Sequence, residues 1–130
     1  MMCGSAHGDL LPVYTVYKSA ELWDTWCEGG PKGKPFCEDR CCASGARFNR
    51  SKSGWFEART FSDWFFTTFL PHAKRLAGKT VLIGDNLSSH FTSEILKSCE
   101  ENNIAFVCLP PNSTHICQPL DVSFFAPMKR

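Results

Sequence analysis

Long apolar runs are missing from this sequence, and their absence removes membrane-spanning readings first. No stretch reaches the roughly 18–20 apolar residues that a helix needs to cross a bilayer. LLPVYTVY near the start (Leu10–Tyr17) is broken by Pro12 and lacks a basic flank and a small-residue cleavage site, so no signal peptide is expected. Net charge is nearly absent too: 14 Lys and Arg against 13 Asp and Glu leave +1. Overall charge therefore does not announce a nucleic-acid binder. No histidine–carboxylate–serine order points to acyl transfer. What the chain does have is apolar and aromatic content, 43% and 13%. Over 130 residues this argues against disorder and for one domain with a real core.

Cysteine is plentiful, at eight residues, and its pattern has to be placed. Cys99 and Cys108 fall on helix and strand positions that read as buried, and no secretory signal precedes them. The expectation is reduced thiols in an intracellular compartment. Cys37, Cys41 and Cys42 (CEDRCC) match no common zinc spacing and have no histidine nearby. They read as free thiols in a loop.

The chain is organised around the stretch from Thr80 to Asp121. Val81–Ile83 is a short apolar run with Asp85 close behind it. Thr92 to about Asn102 is amphipathic, with Thr92 as cap and Phe91, Ile95, Leu96 and Cys99 as its buried face. Asn102 and Asn103 suit a left-handed helix ending. Ile104–Leu109 is a second apolar run, closed by Pro110 and Pro111, after which NSTHICQPL leads to Asp121. Two apolar runs joined by one helix read as a β-α-β unit with parallel strands. Ligands of such sheets gather beyond the carboxyl ends of the strands. Asp85 and Asp121 would both be delivered to that edge. Paired carboxylates there suit hard divalent cations or acid–base work.

These residues also carry a resemblance. GDNLSSH followed by LPPNSTHICQPLD resembles the catalytic domain of DDE-superfamily endonucleases of the pogo/Tigger/jerky type, which includes centromere-protein-B-like proteins. The likeness is dense from Thr80 to Lys129 and thinner over Gly8–Tyr17 and Gly54–Leu70, where GWFEARTFSDW fits a Gly-Trp…Phe…Trp pattern. The resemblance implies an α/β, ribonuclease-H-like mixed sheet with flanking helices. It implies Mg²⁺ or Mn²⁺ held by acidic residues, with Asp85 the second acid and Asp121 the third. Two such cations clamp the attacking and leaving oxygens of an in-line displacement at phosphorus. It further implies DNA as partner and the nucleus as location; neither a small-molecule cofactor nor a membrane is expected. The family's first acid belongs to a strand upstream of Gly8, and only Met1–His7 precede it here, so the domain over 1–130 reads as a partial copy lacking the first strand and catalytically incomplete.

Around the acids, Asn86 reads equally as an orienting group for Asp85 and as a turn residue. His90 reads as a hydrogen-bonded structural histidine, since hard cations prefer oxygen. Thr114, His115 and Gln118 read as bracing the loop, with contact to a DNA backbone as the other role. Earlier in the chain, Leu11–Tyr17 reads as a strand and Thr60–Leu70 as a helix. That helix would be capped by Thr60, with Asp63 as capping-box acid, and stopped by Pro71. Its stripe of Phe61, Trp64, Phe65, Thr68 and Phe69 reads as core. Residues 19–53 read as a surface insertion containing the GGPKGKP loop. A local basic cluster, Arg40, Arg47, Arg50, Lys52 and Arg59, is opposed there only by Glu57, and Arg40, Arg47, Arg50 and Lys52 offer phosphate contacts. It supports an alternative reading, a non-enzymatic DNA-binding or chromatin-associated protein on the same domain.

Overall fold

The β-α-β unit expected at the centre of the sequence is present in the computed structural model, which describes residues 1–26, 46–85, 92–111, 118 and 120. The chain divides into two compact units, Met1–Pro71 and His72–Arg130. Each holds one two-stranded parallel ladder.

In the first unit, β1 (Tyr14–Lys18) pairs in parallel with β2 (Arg47–Ser51). β1 starts later than the apolar pattern suggests, so Pro12 lies outside it. Ahead of it, Gly4 and Leu10 form an isolated antiparallel bridge around a turn in which Ser5 N–H donates to the Asp9 carbonyl at 2.8 Å. A short 3₁₀ turn, Asp24–Trp26, follows β1. β2 changes the picture drawn for 19–53. The last part of that stretch is a strand with buried Phe48 and Ser51, not surface loop. Residues 27–45, with Arg40 and the CEDRCC cysteines, lie outside the described residues.

The helix α1 (Ala58–Trp64) begins two residues before the expected cap. Glu57 is the N-cap, and Thr60 sits at the third helical position. There the Glu57 N–H donates to Thr60 Oγ1 at 2.7 Å, and the Glu57 side chain accepts from the Thr60 backbone. This is a capping box with its two side chains exchanged. Asp63 is therefore free for a different role, described below. Nor does Pro71 stop the helix. A π-helical turn, Phe65–Phe69, follows α1, and α2 (Leu70–Ala73) runs on through the proline. In the wider turn the Leu70 N–H reaches back to the Phe65 carbonyl, one residue further than an α-helix would. That widening relieves the crowding a proline imposes on the turn before it. The stripe of Phe61, Trp64, Phe65, Thr68 and Phe69 is buried as expected. Its rings lie tilted or stacked, Phe61–Trp64 at 5.4 Å and Trp64–Phe69 at 5.6 Å between centroids.

In the second unit, β3 (Thr80–Gly84) pairs in parallel with β4 (Ile104–Cys108), Thr80 opposite Ile104 and Gly84 opposite Cys108. α3 (Ser93–Glu101) connects them and packs against β4. Thr92 caps it, its hydroxyl accepting from the Ile95 N–H at 3.4 Å. The buried face is Ile95, Ser98 and Cys99. Leu96 is 43% exposed, against expectation, because it sits about 100° around the helix from Ile95. Asn103 adopts the left-handed conformation (φ 55°), while the Asn102 side chain donates to the Ser98 carbonyl at 2.7 Å. Among the described residues no helix is long and apolar enough to cross a membrane.

Candidate metal-binding edge

Parallel pairing puts the carboxyl ends of β3 and β4 at one edge. Gly84 and Cys108 are register partners, and the Leu109 N–H donates to the Gly84 carbonyl at 2.9 Å, carrying the pairing one step past the strands. Asp85 leaves β3 at this point and is half-buried. The segment beginning Leu109-Pro110-Pro111 leaves β4 from the same edge.

Of the other residues the sequence singled out here, Asp121, Asn86, His90, Thr114 and His115 lie outside the described residues. Gln118 is described. Its Oε1 is buried and accepts no hydrogen bond. A buried amide oxygen left in that state costs about 1–3 kcal/mol. It therefore does not brace its loop through this atom. An orphaned buried oxygen is a hard donor, of the kind a divalent cation or one of its waters takes up. Asp85 and Gln118 thus supply donor chemistry that fits Mg²⁺ or Mn²⁺, although among the described residues no three His, Cys, Asp or Glu side chains cluster.

The thiols nearby have a different character. Cys99 is buried on α3 and Cys108 half-buried on β4, both free. Burial pushes the Cys99 thiol above its ordinary pKa, as it does for Cys3 in the first unit. A protonated thiol is neither nucleophile nor ligand.

Of the basic residues, Arg40 lies outside the described residues. Arg50 and Lys52 are exposed. Arg47 is turned toward Asp63, Nη2 lying 3.9 Å from Oδ1, with 19% of its side chain exposed. Asp63 also accepts from the Tyr14 hydroxyl, and that hydroxyl accepts from Asn49 Nδ2 at 2.6 Å. Burial, then the bond to Asp63, drives the Tyr14 phenol above its usual pKa. Periodicity alone does not reveal this network, because its four members come from two strands and a helix.

Comparison with known proteins follows the same lines. A family model described as DDE superfamily endonuclease matches residues 1–130. The Tigger transposable element-derived protein 7 of Homo sapiens is 28% identical over 93 residues, 64% of this chain and 17% of that protein. The MFS-type transporter clz9 of Cochliobolus lunatus is 34% identical over 82 residues, 62% of this chain and 9% of that protein. The chain thus spans a small part of either relative, and a match to 9% of a protein named as a transporter carries no transport function here. No solved structure matches.

Proposed function

Because the chain belongs to the DDE superfamily endonucleases, whose family model spans residues 1–130, we propose that the carboxyl edge of β3 and β4 is a metal-dependent phosphodiester-cleavage site acting on DNA. The family implies a ribonuclease-H-like fold. The supporting observation is the parallel register of Gly84 with Cys108, which starts Asp85 and the Leu109–Asp121 segment from one edge.

In this reading Asp85 and Asp121 offer carboxylate oxygens to Mg²⁺ or Mn²⁺. Asn86 holds the Asp85 carboxylate in orientation, and His90, Thr114 and His115 brace the loops around it. Gln118 Oε1, buried without a donor, supplies a further oxygen or binds a metal-held water. When bound, the cation activates a water or a DNA 3′-hydroxyl and stabilises the leaving oxygen. Two carboxylates hold one hydrated cation weakly and do not offset the repulsion between two. The polypeptide of residues 1–130 is therefore expected to bind metal but to cleave little.

Exposed Arg50 and Lys52 favour a second reading, DNA binding without cleavage in a nuclear, chromatin-associated setting. Two measurements separate the readings. Mn²⁺ binding followed by electron paramagnetic resonance should be lost in Asp85→Asn; unchanged binding would remove the metal site. Supercoiled plasmid with Mg²⁺ or Mn²⁺ should be nicked no faster than in buffer. Robust nicking that disappears in Asp85→Ala would show instead that residues 1–130 form a working enzyme.

A further inference from the structure

Trp55 has the most exposed large apolar side chain among the described residues, at 77%. Slack main chain does not account for this. Ser51 Oγ donates to the Trp55 carbonyl at 2.9 Å, and the Trp55 N–H donates to Ser53 Oγ at 3.2 Å. The Gly54 N–H and the Ser19 N–H both donate to the Ser51 carbonyl, at 3.3 and 3.1 Å, which ties the turn to the end of β1. Gly54 has φ +77°, and a β-carbon there would lie 2.9 Å from the Lys18 β-carbon. The turn is thus pressed against Lys18 so closely that only glycine fits. A fixed turn holds a flat aromatic ring out in water.

Three cations belong to the elements that meet at this turn. Lys18 ends β1, Lys52 lies in the turn and Arg50 precedes the end of β2, all exposed. The carboxylates closest in sequence are Glu21, exposed after Ser19, and Glu57. Glu57 accepts from Ser53 Oγ at 2.7 Å and from the Thr60 backbone in the first turn of α1, which fixes where its single negative charge sits against the three cations. A flat, sequence-tolerant ring set among cations is the pattern that holds an unpaired nucleic-acid strand, the base stacking and the phosphates paired. In a duplex the base faces are already stacked and closed to a protruding indole.

We propose that the Ser51–Trp55 turn is a seat for single-stranded nucleic acid, with one base stacked on Trp55 and the adjoining phosphates held by Lys18 and Lys52. This deepens the nucleic-acid reading above by naming the form of the partner and the place where it binds. It needs no metal.

The test is fluorescence anisotropy of a labelled short oligodeoxythymidine with the 130-residue chain in EDTA, over a range of salt. EDTA keeps the result separate from any cation at Asp85, so a failure here and a failure there are distinguishable. Trp55→Ala should weaken binding about tenfold, and Trp55→Phe should restore much of it. Lys18→Glu with Lys52→Glu should weaken binding and flatten its salt dependence. A duplex of the same length should bind more weakly and be indifferent to Trp55→Ala. Because the ring is exposed, far-ultraviolet circular dichroism should be unchanged in Trp55→Ala. Wild-type affinity in Trp55→Ala, or no oligonucleotide binding at all, would overturn the proposal. So would a dimer in sedimentation velocity that Trp55→Ala dissolves while oligonucleotide affinity stays put.

Discussion

The two units use the same small motif, a parallel strand pair with a helix, and hold it together by different means. In the first, large rings fill the core and a polar chain of Asn49, Tyr14, Asp63 and Arg47 crosses from strand to strand to helix. In the second, the buried side chains among the described residues are smaller, chiefly Leu82, Ile95, Cys99 and Ile104. Only one face of its ladder is covered by α3; Val81 and Ile83 on the other are each 53% exposed. Parallel sheets are ordinarily covered on both faces. Among the described residues, the unit that carries the acidic motif is thus the more thinly packed. Elements that bind and release ligands are commonly drawn from the less stable end of a fold.

The largest expected effect breaks this comparison if it fails. All 4 tryptophans and both tyrosines fall within Met1–Pro71, so intrinsic fluorescence in urea reports the first unit alone. Phe65→Ala, which empties the centre of the aromatic stripe, should cost about 3–5 kcal/mol and shift the fluorescence transition. Ile95→Ala should cost about 2–4 kcal/mol and shift the helical circular-dichroism signal while leaving the fluorescence midpoint in place. An equal fluorescence shift in Ile95→Ala would show that the units unfold as one body.

Next in size is the polar chain. Tyr14→Phe leaves Asp63 and Asn49 without their shared partner in a part-buried site, for a loss of about 1–3 kcal/mol by urea denaturation. It also has a pH signature. The folded-state pKa of Tyr14 is raised, by burial and by Asp63, so its neutral form is the one that folding favours. The stability this provides is full below the ordinary tyrosine pKa and is lost as pH rises above about 10 toward the raised value. Denaturation midpoints should therefore fall in that alkaline range for the wild type and fall less for Tyr14→Phe. Equal alkaline slopes would detach the hydroxyl from the fold.

The same contrast explains what was legible in the sequence. The second unit is continuous: two apolar runs, a capped amphipathic helix and an asparagine ending all lie within one local stretch. Its pairing, its Thr92 cap and the edge carrying Asp85 follow from neighbours in the chain. β2 is the opposite case. RFNRS has one apolar residue, and its strand character comes from long-range partners: Tyr14 takes up Asn49, Asp63 takes up Arg47, and Phe48 packs against Tyr17. No periodicity marks such a strand, so it reads as part of a surface insertion. Asp63 was legible as an acid in a helix's first turns but not as the partner of a tyrosine 49 residues earlier. Pro71 looked like a stop because a π turn has no sequence signature.

The smallest effect sharpens the comparison at the cap of α3, which orders the helix beginning shortly after Asp85. Replacing an N-cap threonine with alanine typically costs about 0.5–2 kcal/mol. Here the hydroxyl accepts from the Ile95 N–H at 3.4 Å, a long bond, so Thr92→Ala should fall near the lower end of that range. Thr92→Asp should recover the loss, because a carboxylate both accepts the same bond and complements the positive end of the helix. Thr92→Ala should lower the circular-dichroism midpoint, Thr92→Asp should keep it at or above the wild-type value, and both should leave the fluorescence transition untouched. If Thr92→Ala instead shifts tryptophan fluorescence, the thinner packing of the second unit is not local to it, and stability there is set by the first unit's aromatic core.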